Sequence, residues 1–380
     1  MDSKMAKLIP TPDAETGLKA LRAMLRERHP LAAMQVFHEA LGDVFRVQLP
    51  GFTPVVMVGP EAARFVLVEG RDNLCWRNEN DPVTDLLRHG VLVEDGDSHD
   101  RLRRMMNPSL HRRMLDRYAA FMGAASDQIM DGWGDGAVLD MLVEMRKIAL
   151  LILTGALYRV DFTPELERLW KAILGSIQYI SPGLWMIWRG APRLGYRRAI
   201  DQMNAYLYRI VAERRRELGS GGEEPDDLLS VLILSGMDDD LIRDQLLTML
   251  IAGHDTSTAL LAWTLALFGE HPDALRKAQQ EIDAVLGAAY PTAERVKSLD
   301  YLSMVIKEAL RLYPPIHLGS RVAACDLEYD GYLIPSGERV IYSIYLTQRH
   351  PAFWPNPHQF IPERHASGKS APYSWLAFGG

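Results

Sequence analysis

The longest apolar stretch of the sequence runs from residue 246 to 268, and it limits the possible folds more than any other segment. Its length alone would suffice for a membrane span, since about 20 apolar residues cross a bilayer. A polar run from His254 to Thr258 stands near its centre, however, where lipid would penalise it heavily. A helix that is apolar on all sides and polar only at its middle is typical of the buried axis of a large soluble protein. The sequence therefore predicts a soluble chain without a transmembrane segment.

Composition excludes several classes of protein. The chain has 380 residues, enough to bury a large core, with 42 basic and 49 acidic side chains. The net charge of −7 argues against nucleic-acid binding, which normally needs a basic surplus. Two cysteines, Cys75 and Cys325, are too few for a disulfide framework or a multi-cysteine metal cluster. The N-terminus lacks the apolar core of a signal peptide, and we expect a cytoplasmic protein.

The apolar pattern predicts a mainly α fold, because apolar residues recur at helical spacing through most of the chain. Helices are predicted over residues 14–41, 60–69, 97–106, 110–133, 138–158, 164–180, 196–218, 226–235, 239–269, 271–286 and 301–312. Strand-like runs are few and lie at 44–49, 54–58, 318–323, 327–329 and 339–343. Since exposed strand edges are avoided, we expect the early and late strands to form one small sheet, within a single domain spanning 1–380.

The first candidate site is the sequence Ala-Gly-His-Asp-Thr-Ser at 252–257, inside the long apolar helix. A glycine in a helix interior costs about 0.5–1 kcal/mol relative to alanine. Asp255 and Thr256 add polar groups whose burial is unfavourable. A helix tolerates this where a ligand approaches the backbone or a proton must move. A kinked core helix with satisfied polar groups explains the same residues, so the motif alone leaves both interpretations open.

Two further patterns place charges in apolar surroundings. Glu308 and Arg311 lie three residues apart on one helix face, where they can form an ion pair. This pattern is common on solvated helices, but here the helix is otherwise apolar and ends at two prolines. Arg364, in the sequence Phe-x-Pro-Glu-Arg, is a possible third partner, and a buried triad would need nearly complete hydrogen bonding. Phe378 and two following glycines are typical of the start of a tight loop.

Taken together, in this order and spacing, these patterns resemble the cytochrome P450 family of haem-thiolate monooxygenases over nearly the whole chain. Residues 252–257 are similar to the oxygen-activation motif of the family's central helix. Glu308 and Arg311 are similar to its core-stabilising motif, and Arg364 to the arginine that completes the triad. Phe378 is similar to the first residue of the haem-binding loop. The resemblance implies a mainly α fold with a small β-sheet subdomain, and haem b as the cofactor.

The resemblance also implies residues that bind the haem propionates. His99 and Arg103 are similar to a His and an Arg one helical turn apart, a spacing that puts both on one face. Without the resemblance they would be part of a solvated basic helix. Arg321 is similar to the family's other propionate arginine, and its alternative interpretation is a lone surface arginine on a strand.

For the oxygen side of the haem, the resemblance implies four residues of the central helix. Ala252 and Gly253 would keep the helix close to the iron. Thr256 would hydrogen-bond the oxygen there, and Asp255 would help to deliver protons through water. This acid–alcohol pair favours a monooxygenase over the peroxide-using and isomerase-like members of the family. The activity implied is insertion of one oxygen atom of O2 into an apolar organic substrate.

The sequence departs from the family at the iron ligand. The family uses a Cys thiolate, which the motif spacing places beyond Gly380, so that this chain contains no metal ligand. Cys75 and Cys325 lack the matching Gly-rich context. We therefore expect the 380 residues as written to be a truncated, inactive fragment of the complete enzyme. A helical binding or interaction protein without haem is the alternative.

Electrons must come from another protein, because no dinucleotide-binding Gly-x-Gly-x-x-Gly fingerprint follows a strand. The resemblance implies an external NAD(P)H-dependent redox partner of the ferredoxin or flavodoxin type, and a monomeric protein. A basic cluster offers a docking face for an acidic partner, although a solvated helix face explains it equally well. The cluster consists of Arg101, Arg103, Arg104, Arg112 and Arg113.

By resemblance, segments 73–95 and 170–195 line the substrate pocket. Their apolar side chains favour a fatty acid, a terpenoid or a steroid-like ligand over a sugar, and an ordinary core position explains them as well. These side chains are Trp76, Val83, Leu86, Leu87, Leu174, Ile177, Trp185 and Ile187. A lid over an apolar cavity is one interpretation of segment 181–192, and a loop packed on the core is the other.

Overall fold

The computed structural model describes residues 7–78, 81–111, 114–181, 195–220, 227–368 and 370–378. Within these ranges the chain is mainly helical with a small β-sheet, which confirms the predicted fold class. The helices are α1 (Ala14–Glu27), α2 (Leu31–Leu41), α3 (Pro60–Arg64), α4 (Pro82–Leu87), α5 (Gly96–Met106), α6 (Leu115–Met130), α7 (Met141–Tyr158), α8 (Leu166–Ile180), α9 (Tyr196–Gly219), α10 (Leu228–Leu234), α11 (Asp239–Glu270), α12 (Pro272–Val285), α13 (Ala293–Val296), α14 (Asp300–Leu312) and α15 (Ile344–Thr347).

Early and late strands share one five-stranded sheet, in the order β1-β2-β7-β4-β3. The strands are β1 (Val44–Arg46), β2 (Val55–Met57), β3 (Leu74–Cys75), β4 (Leu318–Ala323), β5 (Leu327–Tyr329), β6 (Tyr332–Ile334) and β7 (Arg339–Ser343). β2 pairs with β7 in parallel, with Val56 opposite Ile341, and the other pairs of this sheet are antiparallel. β5 and β6 form a separate two-stranded sheet. The short strands β3 and β6 were not predicted.

Backbone contacts divide the chain into two compact units. Of the described residues, the first unit contains 7–78 and 307–378, and the second contains 81–181 and 195–306. The first unit holds both sheets, and fully buried strand residues such as Val55 and Val340 lie in its core. The second unit holds most of the helices, and its largest apolar cluster includes Leu150 of α7 and Leu246 of α11. That 1–380 forms a single domain stays a prediction.

Helix α11 begins one residue after Asp238, whose carboxylate accepts a hydrogen bond from the Leu241 N–H at 2.7 Å. Acidic residues in its first turn complement the helix dipole. The sequence predicted that the apolar helix is buried on all sides. This is correct up to Thr258, where most side chains are buried, and wrong for the last part, where Leu261, Trp263 and Leu265 are exposed. The apolar pattern could not predict this exposure, because it does not show which faces of the helix pack against other elements.

The single helix predicted over 14–41 is wrong, because the structure has two helices there. α1 ends at Glu27. The next residue, Arg28, adopts a left-handed conformation with φ 59°, and α2 follows Pro30. Proline has no N–H to donate and disfavours a helical conformation in the residue before it. Both segments have apolar residues at helical spacing, so the periodicity alone did not indicate the break between them.

Candidate functional site

The motif 252–257 lies within the second unit, on an α11 helix that is continuous from Asp239 to Glu270. The Thr256 hydroxyl donates a hydrogen bond to the Ala252 carbonyl at 2.6 Å, and both residues are partly buried. Donation to a carbonyl one turn earlier satisfies a hydroxyl inside a helix. The threonine side chain is thus held on the helix surface beside Ala252.

Asp255 has a cationic neighbour that the sequence analysis missed. Nη2 of Arg146, on α7, lies 3.8 Å from Oδ1 of Asp255. The Asp255 side chain is 45% exposed and that of Arg146 21%, so the carboxylate keeps access to water. Charged residues are few in the apolar sequence of α7, and this was the signal available for Arg146. Its partner is set by the packing of α7 on α11, which local sequence does not encode.

Gly253 has a packing reason to lack a side chain. A Cβ atom at this position would lie 2.4 Å from Cδ1 of Leu153 on α7, closer than real atoms approach. The glycine therefore lets α7 and α11 pack closely. Sequence reasoning attributed the glycine to a ligand near the backbone or to a kink, and did not anticipate a neighbouring helix.

His254 is completely buried, and neither of its ring nitrogens has a hydrogen-bond partner among the described residues. Burial lowers the pKa of His254 to about 4, and the charge of Arg146 acts in the same direction. The imidazole is therefore neutral at neutral pH. Sequence reasoning quoted His254 in the motif but gave it no function.

The predicted propionate ligands of the second unit lie on α5. His99 and Arg103 are separated by one turn, and Nδ1 of His99 lies 3.1 Å from Oδ1 of Asp100. Arg103 is exposed, and its guanidinium has no protein partner within the described part of the chain. Arg101 and Arg104 on the same helix are also exposed. Arg112 and Arg113, the other members of the predicted docking face, lie outside the described residues.

Arg321, in β4 of the first unit, is not a lone surface arginine. Its guanidinium carbon lies 4.8 Å from the ring centre of Trp76 and 5.9 Å from that of Tyr342. Nη1 donates a hydrogen bond to the Ser320 carbonyl at 2.8 Å. Cation–π contacts of this kind stabilise a guanidinium and fix its direction. Trp76, which sequence reasoning placed in a pocket wall, thus contacts this arginine.

Glu308, Arg311 and Arg364 meet in the first unit. Arg311 donates to both carboxylate oxygens of Glu308, at 2.8 and 2.9 Å, and Nε of Arg364 donates at 2.9 Å. Two partners were not predicted: Nε2 of His365 lies 3.0 Å from Glu308, and the Ile361 N–H donates at 3.0 Å. The carboxylate therefore accepts hydrogen bonds from several groups, as a buried charge requires.

The remaining donors of Arg311 bind backbone carbonyls. Nη1 donates to Gln348 and Pro357, and Nη2 to Gln359, over 2.8–3.1 Å. The guanidinium also lies 5.2 Å from the ring centre of Trp354. Arg311 thus ties α14 to the irregular segment that follows α15. This is a structural function, and it positions the chain leading to Phe378.

Phe378 is 82% exposed and packs edge-on against Trp375 at 5.7 Å between ring centres. The two glycines after it lie outside the described residues. Among the residues predicted to line the substrate pocket, Leu86 and Leu87 belong to the apolar core of the second unit, which was the alternative interpretation. Val83 and Ile177 are partly buried and pack against the same core, and Leu174 is partly buried. Trp185, Ile187 and most of the predicted lid segment lie outside the described part.

Comparison with known proteins agrees with this mainly α fold. The sequence profile of the cytochrome P450 family matches residues 18–380. Cyclooctat-9-en-7-ol 5-monooxygenase of Streptomyces melanosporofaciens is 31% identical over 86% of this chain and 73% of its own length. Pentalenene oxygenase of Streptomyces avermitilis is 28% identical over 92% of this chain and 80% of its own length. The structure of a retinoic-acid-bound cyanobacterial protein, CYP120A1, covers 99% of this chain and 86% of that one with a TM-score of 0.82 and 23% identity.

The chain belongs to the cytochrome P450 family. It is accordingly a monooxygenase, an oxidoreductase with haem as cofactor and an external redox partner as its source of electrons. In the part of the chain that the structure describes, no helix is long and apolar enough to cross a membrane.

The residues present fit haem at its carboxylates. The unpaired guanidinium of Arg103 suits a carboxylate, and so does the directed guanidinium of Arg321. Cys75 lies in β3 opposite Val322, and Cys325 is exposed just after β4. That neither cysteine binds the iron stays a prediction.

Proposed function

We propose that the protein inserts one oxygen atom of O2 into an apolar organic substrate, with Asp255 and Thr256 handling the protons. The observation that carries this proposal is the adjacency of the two residues on α11, with Asp255 partly exposed and the Thr256 hydroxyl on the helix surface. A carboxylate that reaches water can take up a proton, and a hydroxyl can pass one on because it both donates and accepts. Bound haem b would supply the binding of O2 and the cleavage of its O–O bond.

His99 and Arg103 of α5 are proposed to bind haem carboxylates, as is Arg321 of β4. Arg103 has no competing protein partner in the described residues, whereas His99 would share its ring with Asp100. Trp76 and Tyr342 would hold the direction of the Arg321 guanidinium. Ala252 and Gly253 are proposed to lie nearest the iron, and Phe378 to begin the loop that holds it.

We propose a terpenoid as the substrate. Two relatives are named for their action on cyclooctat-9-en-7-ol and pentalenene, both cyclic and largely hydrocarbon. The partly buried apolar residues Val83, Leu174 and Ile177 suit such a ligand. A fatty acid or a steroid-like molecule fits the apolar residues alone equally well, and the relatives favour the terpenoid.

A ferredoxin or a flavodoxin is the proposed electron donor. A basic face suits an acidic donor, and the exposed Arg101 and Arg104 of α5 would contribute to such a face. A working monomer in the cytoplasm is part of the same proposal. Arg101→Glu together with Arg104→Glu should raise the KM for the reduced donor and leave the dissociation constant for substrate unchanged.

The proposal is tested with protein expressed from its complete reading frame. The reduced, carbon-monoxide-bound protein should show the Soret band of a thiolate-bound haem. With an electron donor, a cyclic terpene and 18O2, the product should gain one 18O atom. Protein that binds no haem would support the alternative of a helical binding protein. An oxygenated product that carries no 18O would contradict insertion of oxygen from O2.

A further inference from the structure

Two histidines and an aspartate from three separate segments meet in the first unit. His38 lies on α2, Asp43 lies between α2 and β1, and His350 follows α15. Nε2 of His38 lies 2.8 Å from Oδ1 of Asp43, and Nε2 of His350 lies 3.2 Å from the same oxygen. The histidine side chains are only 14% and 15% exposed, whereas that of Asp43 is 53% exposed. Three possible metal ligands therefore converge on one small region that water can reach.

The spacing of these atoms suits a small divalent cation. One nitrogen of each imidazole and a carboxylate oxygen all lie within 4.8 Å of one another. In a tetrahedral zinc site with bonds of about 2.0–2.1 Å, neighbouring ligand atoms are about 3.3 Å apart. The two distances to Asp43 are close to this value, and the two nitrogens would have to approach each other. Two imidazoles and one carboxylate favour Zn2+ over Mg2+ and Ca2+, which prefer oxygen ligands.

A cavity of about 310 Å3 beside the histidines gives an ion a way in. His38 and His350 both line this cavity, together with Glu39 of α2 and His358. An entry path is one of the requirements of a metal site. A zinc ion held by three protein ligands also keeps a fourth position for water, and the cavity has room for it.

We propose that His38, Asp43 and His350 bind one Zn2+ ion through the two Nε2 atoms and a carboxylate oxygen, with water as the fourth ligand. The ion ties α2 and the start of β1 to the segment after α15, which lies 307 residues further along the chain from Asp43. All three ligands belong to the first unit, whereas the residues proposed to handle protons belong to the second. The zinc site therefore does not depend on the proposed function.

The alternative is a hydrogen-bonded cluster without metal. The Ala352 N–H donates to Nδ1 of His350 at 3.2 Å, which places the ring proton on Nε2, facing Asp43. Zinc at Nε2 moves this proton to Nδ1 and ends the contact with Ala352. Since Ala352 is exposed, water can replace the lost partner, and the net cost of one exchanged hydrogen bond is small. Three metal bonds outweigh this cost.

The first test is equilibrium dialysis of haem-loaded protein against ZnCl2, with bound zinc counted by mass spectrometry. At micromolar free zinc the wild type should bind one equivalent that excess MgCl2 does not displace. Changes even in the outer partners of a metal ligand typically weaken binding 10–100-fold, so His38→Gln and His350→Gln should each raise the Kd at least about tenfold. Unchanged haem absorbance would show that the variants are folded.

The matched control is His358→Gln, which removes a histidine from the same cavity wall but not from the set of three ligands. Its Kd should stay within about twofold of the wild type. No zinc bound by the wild type, equal affinity in the wild type and His350→Gln, or an equal loss in the control would each overturn the proposal.

The second test is a crystal of the haem-loaded protein soaked in ZnCl2. An anomalous signal at the zinc absorption edge should lie within about 2.0–2.2 Å of Nε2 of His38, Nε2 of His350 and an oxygen of Asp43. Absence of this signal, with the three side chains still hydrogen-bonded to one another, would establish the metal-free cluster instead. Neither test involves turnover, so its failure is distinct from a failure of the monooxygenase assignment.

Discussion

Arg311 donates two hydrogen bonds to the carboxylate of Glu308, from Nε to Oε2 at 2.8 Å and from Nη2 to Oε1 at 2.9 Å. Both side chains are 0% exposed. Taking two charges out of water is costly, and their attraction offsets this cost only where the other polar atoms are also bonded. Here His365, Arg364 and several carbonyls supply those bonds. The arrangement therefore depends on every member being present.

Glu308→Gln should lower the free energy of unfolding by about 3–5 kcal/mol, because it leaves the buried Arg311 without its counter-charge. Urea unfolding measures this. The matched control is Glu328→Gln at an exposed position of β5, which should change stability by less than about 0.5 kcal/mol. Similar small losses in both variants would mean that the network stabilises the fold little.

Glu308 also predicts a dependence of stability on acid. Burial alone would raise its pKa, but hydrogen bonds from Arg311 and His365 outweigh this and lower the pKa to about 2, against an ordinary value of 4.5. The carboxylate thus stabilises the fold fully above pH 4.5, and this contribution is lost as the pH falls towards 2. Urea unfolding across this window should show a steeper loss for the wild type than for Glu308→Gln. Parallel profiles would contradict the assignment.

The burial of His254 leads us to expect a second pH range, separate from that of Glu308, in which the stability of the fold changes. Its pKa is about 4 in the folded protein, chiefly through burial, and the ordinary value is 6.5. The unfolded chain therefore binds this proton more readily, and stability is lost as the pH falls from 6.5 to 4. The loss should approach roughly 3 kcal/mol at pH 4. His254→Gln should remove it, and a variant profile that still falls by this amount over the window would show that other groups cause it.

Gly253→Ala tests the close packing of α7 and α11. The new methyl group would meet Leu153 at 2.4 Å, so we expect a loss of about 1–2 kcal/mol in thermal or urea unfolding. In the background of Leu153→Ala the clash is absent, and the same change should stabilise the helix by up to about 1 kcal/mol. A change of the same sign in both backgrounds would contradict the packing explanation.

The sequence allowed good prediction where the determining pattern was local. The late strands β4, β5 and β7 have the predicted bounds, and α11 was predicted to within one residue. Both rest on periodicity and on cap residues close in sequence. Glu308 and Arg311 share a helix face through their spacing, which needs no knowledge of the fold.

Features that depend on packing between distant segments could not be predicted in this way. Arg146 lies beside Asp255 because α7 packs on α11, and neither helix sequence specifies its neighbour. The contact of Trp76 with Arg321 has the same origin, through the pairing of β3 with β4. Family resemblance supplied the positions of candidate residues but not these partners.

The most direct test of the central claim is the yield of product per NAD(P)H in Thr256→Ala and Thr256→Ser, with haem-loaded protein from the complete reading frame. The serine keeps the hydroxyl that now donates to Ala252, and the alanine removes it. Proton transfer by a positioned group typically contributes at least about a hundredfold, so the alanine variant should consume electrons but lose most of its product as peroxide or water, while the serine variant retains coupling. Equal yields in the wild type and Thr256→Ala would contradict the account.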